Sequence, residues 1–164
     1  MVICDSVNSP SAEKDFLLAM RGITSTVTVI SAKKGSEQQA MTASSVVSLS
    51  LEPPSMLVCI NHKASIHNII EKEIGFCINV LKANQTEIAD ICSKKEYEAE
   101  RFLTGNWSLL NDIPYNLDAQ SNLFCSCKDL IKHETHSICL GEVTKVINKD
   151  ISNPLLYKDG RYLY

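Results

Sequence analysis

The chain has 164 residues, enough to bury a core without disulfide or metal staples, and its 45% hydrophobic and 21% charged residues are ordinary for a globular domain. A formal charge of -3, with 13 Lys and only three Arg (Arg21, Arg101, Arg161), offers no arginine patch to grip a phosphate backbone, so nucleic acid is not expected as a partner. No apolar run approaches the roughly 20 residues of a membrane helix, and the N-terminus lacks the basic and apolar regions of a signal peptide.

Seven cysteines is an odd number, and most lie inside apolar periodic segments. That pattern predicts reduced, buried thiols in a cytoplasmic protein rather than a disulfide framework.

In chain order, residues 1–10 read as a loose tail and 11–164 as one domain. Ser11 is placed as the N-cap of a short helix, with Phe16, Leu17 and Met20 as its apolar stripe and Gly22 as its stop. The β-branched run Thr24 to Ser31 predicts a strand. After a polar turn around Gly35, a second strand is expected over roughly 40–50, ended by Pro53-Pro54. In regular pleat, Thr42, Ser44, Val46 and Ser48 would share one face and Ala43, Ser45, Val47 and Leu49 the other. Hydroxyls at Thr42, Ser44, Ser45 and Ser48 make this strand either a solvated face or the seat of an anionic ligand.

Residues 56–60 are apolar on both faces, which predicts a strand covered on both sides, as in a closed barrel whose outer face lies in a dimer interface. Asn61 to Ala64 is a loop, Ser65 an expected N-cap, and residues 66–72 a short helix. Gly75 opens a strand in which the polar Asn79 needs partners if buried. Asn84 and Glu87 resemble a capping box before a helical stripe of Ile88, Ile91 and Cys92. Residues 94–120 are the least periodic and read as a helix followed by a long surface excursion. Two strands are expected at about 121–131 and 137–148, and Asp159-Gly160 marks a terminal hairpin. Several short-spaced strands with three short helices give a mainly β, antiparallel barrel decorated by helices.

The order of motifs resembles the short-chain flavin reductases, the reductase components of two-component flavin-dependent monooxygenases such as 4-hydroxyphenylacetate 3-monooxygenase. The resemblance covers roughly 13–164. It rests on LLAMRGITSTVTVIS, MTASSVVSLSLEPPSMLVCINHKAS, GFCINVL, ERF, THSICLGEV and the terminal DGRY, in that order and spacing. It implies a flavin-binding split β-barrel, usually a homodimer, that transfers hydride from NADH or NADPH to FMN or FAD and supplies reduced flavin to a partner oxygenase. FMN is not told from FAD, nor NADH from NADPH.

By the same resemblance, Thr42, Ala43, Ser44, Ser45 and Ser48 hold the flavin's ribityl chain and phosphate. Asn61, His62, Lys63 and Ser65 form the second flavin segment, where a loop entering a helix offers free N–H groups. Phe102 matches a position near the flavin rim. His136 aligns with a histidine near the nicotinamide, steadying its carboxamide or excluding water, and is the candidate catalytic residue. Arg161 and Tyr162 match a segment implicated in NAD(P)H binding. Glu134 stands where the family often has glycine, so a turn needing positive φ is expected to be rebuilt.

Two other readings stand beside this one. One is a non-catalytic split-barrel protein that binds flavin. The other is a zinc module using Cys125, Cys127, His133, His136 and Cys139, although these spacings fit no common zinc frame and Cys125 and Cys127 share a buried-looking face with Leu123.

Overall fold

The computed structural model describes residues 10–149 and 153–163. Of the tail expected over residues 1–10, residues 1–9 lie outside the described residues, as does Tyr164, and Pro10 opens a helix. Helix α1 (Pro10–Arg21) begins one residue before the expected cap, so Ser11 sits inside the helix. Proline suits a first helical position, where its missing N–H would go unbonded anyway.

Three antiparallel sheets follow. The largest takes the order β3-β2-β6-β9-β10-β5-β4, built from β2 (Thr28–Lys34), β3 (Glu37–Ala43), β4 (Val46–Leu51), β5 (Pro54–Asn61), β6 (Gly75–Val80), β9 (Ser121–His133) and β10 (His136–Asn148). β1 (Ser25–Thr26), β11 (Leu156–Lys158) and β12 (Arg161–Leu163) form a second sheet, and β7 (Trp107–Leu110) with β8 (Ile113–Asn116) a third. The mainly β, antiparallel expectation agrees with this.

The strand expected over 40–50 is two strands. β3 stops at Ala43, β4 starts at Val46, and the two lie on opposite edges of the seven-stranded sheet. Laid flat, that sheet would separate its edges by about 29 Å. Ala43 and Val46 are three Cα steps apart, a reach of at most about 11 Å. The sheet therefore rolls until its edges approach, and Ser45, at the end of the step, already pairs with β5: the Cys59 amide donates to its carbonyl at 3.1 Å, continuing the Val46–Val58 register. Ser44 and Ser45 are the step between edges, so the period-two face assignment does not run through them.

The roll encloses a core of Ile30, Val58, Ile60, Phe76, Ile78 and the thiols of Cys125, Cys127 and Cys139. Gly141 on β10 faces this core, where a Cβ would stand 2.5 Å from the Phe76 ring, so only glycine fits. A second core gathers Val27, Val29, Leu81, Ile88, Cys92 and Leu155, with α2 (Thr86–Ser93) as its cover. β2 lies between the two, sending Ile30 and Ala32 to one and Val29 to the other.

Asn79 is wholly buried and braces these strands. Its amide donates to the Val29 carbonyl (2.8 Å) and Ser31 Oγ (2.9 Å), and its oxygen accepts from the Asn116 amide (2.8 Å) and Asn122 Nδ2 (2.9 Å). This is the partnered strand asparagine that burial demands.

Several local expectations are corrected. Ser65 is not an N-cap: it opens a 3-10 turn, Ser65–Asn68, whose capping residue Ala64 makes no side-chain bond. Asn61 Oδ1 instead accepts from the Lys63 amide at 2.8 Å, a local turn that sets the loop's direction. Asn84 and Glu87 form no capping box; Gln85 holds the cap position, and its side chain accepts from the Lys82 amide at 2.9 Å. Residues 94–120 are more ordered than their weak periodicity predicts, with a 3-10 segment (Lys95–Glu100) and the β7–β8 hairpin. Phe16, Leu17 and Met20 of α1, expected as an apolar stripe packed on a larger body, are exposed.

Both hairpin turns follow their backbone chemistry. Asp159 and Gly160 have φ of 51° and 77°, the two left-handed residues of a type I′ turn. Between β9 and β10, Glu134 takes φ 46° and His133 still pairs with His136. The turn is not rebuilt around the missing glycine. Glu134 occupies the left-handed region at a cost of about 1–2 kcal/mol.

Candidate functional site

Two clefts meet at the end of β3. The first, about 340 Å³, runs between Thr42, Ser44, Asp90 and the terminal hairpin residues Tyr157, Arg161 and Tyr162. The second, about 300 Å³, runs between Thr42, the Asn61–Ser65 segment, Lys95 and Arg101. Both fall at the low end of ligand-sized clefts, roughly 300–1,000 Å³. Thr42 and Ser93 line both, so the two are neighbouring chambers.

The second chamber is cationic. Lys63 and Lys95 make no ion pair among the described residues. Arg101 is only 5% exposed; Nη1 donates to Gln39 (3.2 Å) and Nη2 to the Lys94 carbonyl (3.1 Å), while Nε is buried without a partner. An orphaned guanidinium N–H is unusual, because unbonded buried donors are costly. Behind it, Glu98 accepts from Gln39 Nε2 at 2.7 Å. The Ser65 hydroxyl chiefly, then Gln39, Arg101 and Lys95, hold the Glu98 carboxyl below the ordinary glutamate range. The first chamber is mixed: the Tyr162 hydroxyl donates to Asp90 at 2.9 Å, beside Arg161.

The expected flavin residues divide into groups. Thr42, Asn61, Lys63 and Ser65 converge on the second chamber, and Thr42 and Ser44 on the first. Thr42's hydroxyl already donates to the Ala89 carbonyl at 2.6 Å, tying β3 to α2 and leaving oxygen lone pairs free. Ala43 is buried in the core, so it offers a ligand only backbone. Ser45 turns its hydroxyl to the Cys59 carbonyl (3.4 Å), and Ser48 stands exposed on β4 opposite Met56. Neither lines a chamber.

Phe102 is not brought to the clefts. It packs edge-on against Trp107, centroids 5.0 Å apart, on the second core. Arg161 and Tyr162 line the first chamber. His136 is exposed at the start of β10, opposite Asn61 on β5, with Nδ1 2.8 Å from Thr135 Oγ1. It shares a strand end with the flavin segment and lines neither chamber. His62 lies beside the loop, against Ser137 and His67.

The alternative metal constellation is split. Cys125, Cys127 and Cys139 lie in the core, with Cys139 Sγ 3.3 Å from Cys127 Sγ, while His133 and His136 are exposed at the hairpin end. Among the described residues no group of three His, Cys, Asp or Glu side chains is arranged to hold a metal ion. Burial pushes the Cys125 thiol up to about 12, which suits a core residue and not a ligand.

Sequence reasoning missed Lys95, Ser93, Asp90 and Tyr157. Ser93 and Lys95 follow the Ile88–Cys92 stripe at the end of α2, whose docking on the second core aims them at Thr42. Only that packing reveals them.

Comparison with known proteins shows the family. The model of the flavin reductase like domain matches residues 20–164. The reductase component of an FADH2-dependent resorcinol hydroxylase from a Rhizobium species is 33% identical over 152 residues, covering 91% of this chain and 85% of that protein. An NADH-dependent FMN reductase of Stutzerimonas stutzeri is 30% identical over 156 residues, covering 94% and 90%. Among solved structures, an NADH:FAD oxidoreductase of Streptomyces globisporus, determined with NAD and FAD fragments, superposes with a TM-score of 0.85 at 27% identity, covering 98% of this chain and 96% of that one.

Proposed function

The chain belongs to the flavin reductase like family, and from that premise we propose that it is an NAD(P)H:flavin oxidoreductase whose flavin lies across the two chambers that meet at Thr42. Bound flavin supplies the redox chemistry, accepting at N5 the hydride that leaves nicotinamide C4. The protein supplies position and charge. The observation that carries the reading is the cationic chamber beside Thr42, lined by Lys63, Lys95 and Arg101, a space suited to a phosphate. Thr42, Ser44 and Asn61 offer hydroxyl and amide groups for the ribityl chain. Arg161 and Tyr162 border the first chamber and serve the nicotinamide nucleotide, with His136 steadying the carboxamide from the adjoining strand end. No general base is required, because hydride carries both electrons and its own proton.

The rolled sheet is read as a split barrel in a single domain, working as a homodimer in the cytoplasm. The exposed Phe16, Leu17 and Leu18 of α1 and Val47, Leu49 and Leu51 of β4 support a second copy as their cover, and the free thiols support a reducing compartment. We read the chain further as the reductase half of a two-component system, because the Rhizobium relative is named as one. Among the described residues no helix is long and apolar enough to cross a membrane.

The test is oxidation of NADH and NADPH with FMN and FAD crossed, followed anaerobically at the flavin absorbance. Bleaching with at least one nicotinamide is expected; a flavin spectrum that neither bleaches defeats the reductase reading.

A further inference from the structure

Two histidines of one loop and turn converge on a buried hydroxyl 70 or more residues further along the chain. Ser137 Oγ, on β10, lies 3.1 Å from His62 Nε2 and 3.0 Å from His67 Nε2, and Ser137 is wholly buried. The two imidazole rings stand 4.7 Å apart. His62 sits between Asn61 and Lys63 in the cleft-lining loop, and His67 in the 3-10 turn that follows. The His62 amide also donates to the Thr135 carbonyl at 2.9 Å, which ties the loop to the turn that carries His136.

A serine has one hydroxyl hydrogen. With both rings neutral, one Nε2–H donates to Oγ while the hydroxyl donates to the other Nε2, and all three groups are satisfied. A proton on the bare Nδ1 of the donating ring leaves this arrangement intact, whereas protonating the accepting ring turns its Nε2 into a second donor. Two N–H groups then converge on Oγ, and the buried hydroxyl has lost its acceptor. The surrounding charge makes that state worse. Lys132 and His133 of β9 and His136 of β10 lie at the same end with Lys63, and the exposed Glu134 is the one carboxylate of that hairpin turn.

We propose that His62, Ser137 and His67 form a positioning unit that holds the Asn61–Ser65 loop in its flavin-binding arrangement only while the imidazole that accepts the Ser137 hydroxyl is neutral. This rests on the flavin reading of the second chamber. Burial, then His62 and then Lys132 hold His67 below the ordinary histidine range. A histidine depressed in the folded state contributes stability above its unfolded value, near 6.5, and that contribution is lost as pH falls through the folded value. The loop's order, and with it flavin affinity, follows the same sign.

The experiment titrates FMN into wild type, His67→Gln and Ser137→Ala at pH 7.5 and 5.5. The flavin phosphate titrates identically in all three, so the comparison between proteins isolates the cluster. Wild type is expected to lose about tenfold in affinity on acidification, the scale of one buried hydroxyl stripped of its acceptor, and both variants to lose no more than about twofold. Equal losses in all three overturn the proposal. A 15N-histidine NMR titration of wild type needs no variant: it should show one Nε2 protonated and one bare at pH 7.5, changing together with the Lys63 amide. A Lys63 amide that does not follow protonation of the bare Nε2 overturns it as well. If wild type fails to bind FMN even at pH 7.5, the functional reading fails, and the NMR titration alone decides the positioning claim.

Discussion

Asn79 and Arg101 are both buried polar side chains, yet they are arranged to opposite ends. Both Asn79 amide atoms are bonded within the protein, to groups on β2, β8 and β9. Arg101 uses Nη1 and Nη2 on Gln39 and the Lys94 carbonyl but leaves Nε without a partner beside a cleft. A matched polar group holds strands together. An unmatched one, with unpaired lysines around it, stores a capacity to bind that is realised only with a ligand.

Breaking the first group should cost stability and leave chemistry alone. Asn79→Ala removes the acceptor of two N–H groups and the donor to two oxygens, so about 3 kcal/mol or more of unfolding free energy should be lost, read as a fall in the urea midpoint. Gly141→Ala tests the apolar wall of the same core. A Cβ placed 2.5 Å from Phe76 should cost about 1–3 kcal/mol by overpacking, with the flavin KM unchanged in whatever fraction folds. The second group should behave the other way. Lys63→Ala with Lys95→Ala should leave the urea midpoint within about 0.5 kcal/mol of wild type, yet raise the flavin Kd about tenfold, since charge-assisted bonds are worth about 1.5–3 kcal/mol. A double variant that melts early and binds normally would collapse the contrast. The smallest effect is expected at Glu134→Gly, which relieves the φ of 46° and should gain about 0.5–1 kcal/mol in thermal unfolding.

The sequence made the strands of the core legible because their apolar residues alternate or run unbroken, as in Met56–Ile60 and Phe76–Val80. It made Asp159-Gly160 legible because that dipeptide selects one turn. The break at Ser44 and Ser45 was hidden: both sides of it have strand composition, and only closure of the sheet requires a step there. That step also resolves the pair. Ser44 lines the first chamber, whereas Ser45 already pairs with Cys59 of β5. Unequal losses of flavin affinity are therefore expected on alanine replacement, with Ser44 the larger. The resemblance implied one set of flavin segments for Thr42, Asn61, Lys63 and Ser65, and these residues do line one chamber. Lys95 and Ser93 gave no such signal, since their placement depends on how α2 docks, and Phe102 packs on Trp107 away from both chambers, as an aromatic beside Arg101 fits a core as well as a cofactor rim.

The seam between β3 and β4 has a kinetic consequence. Its two strands occupy opposite edges of the sheet, with β2, β6, β9, β10 and β5 between them. No local hairpin can bring Thr42 up to the Asn61 loop; strands drawn from as far along the chain as Asn148 must first be in register. Such long-range pairing makes for slow folding. It also means that the two chambers come into being together with the finished sheet, so that flavin capture during refolding reports the last event of assembly rather than an early one.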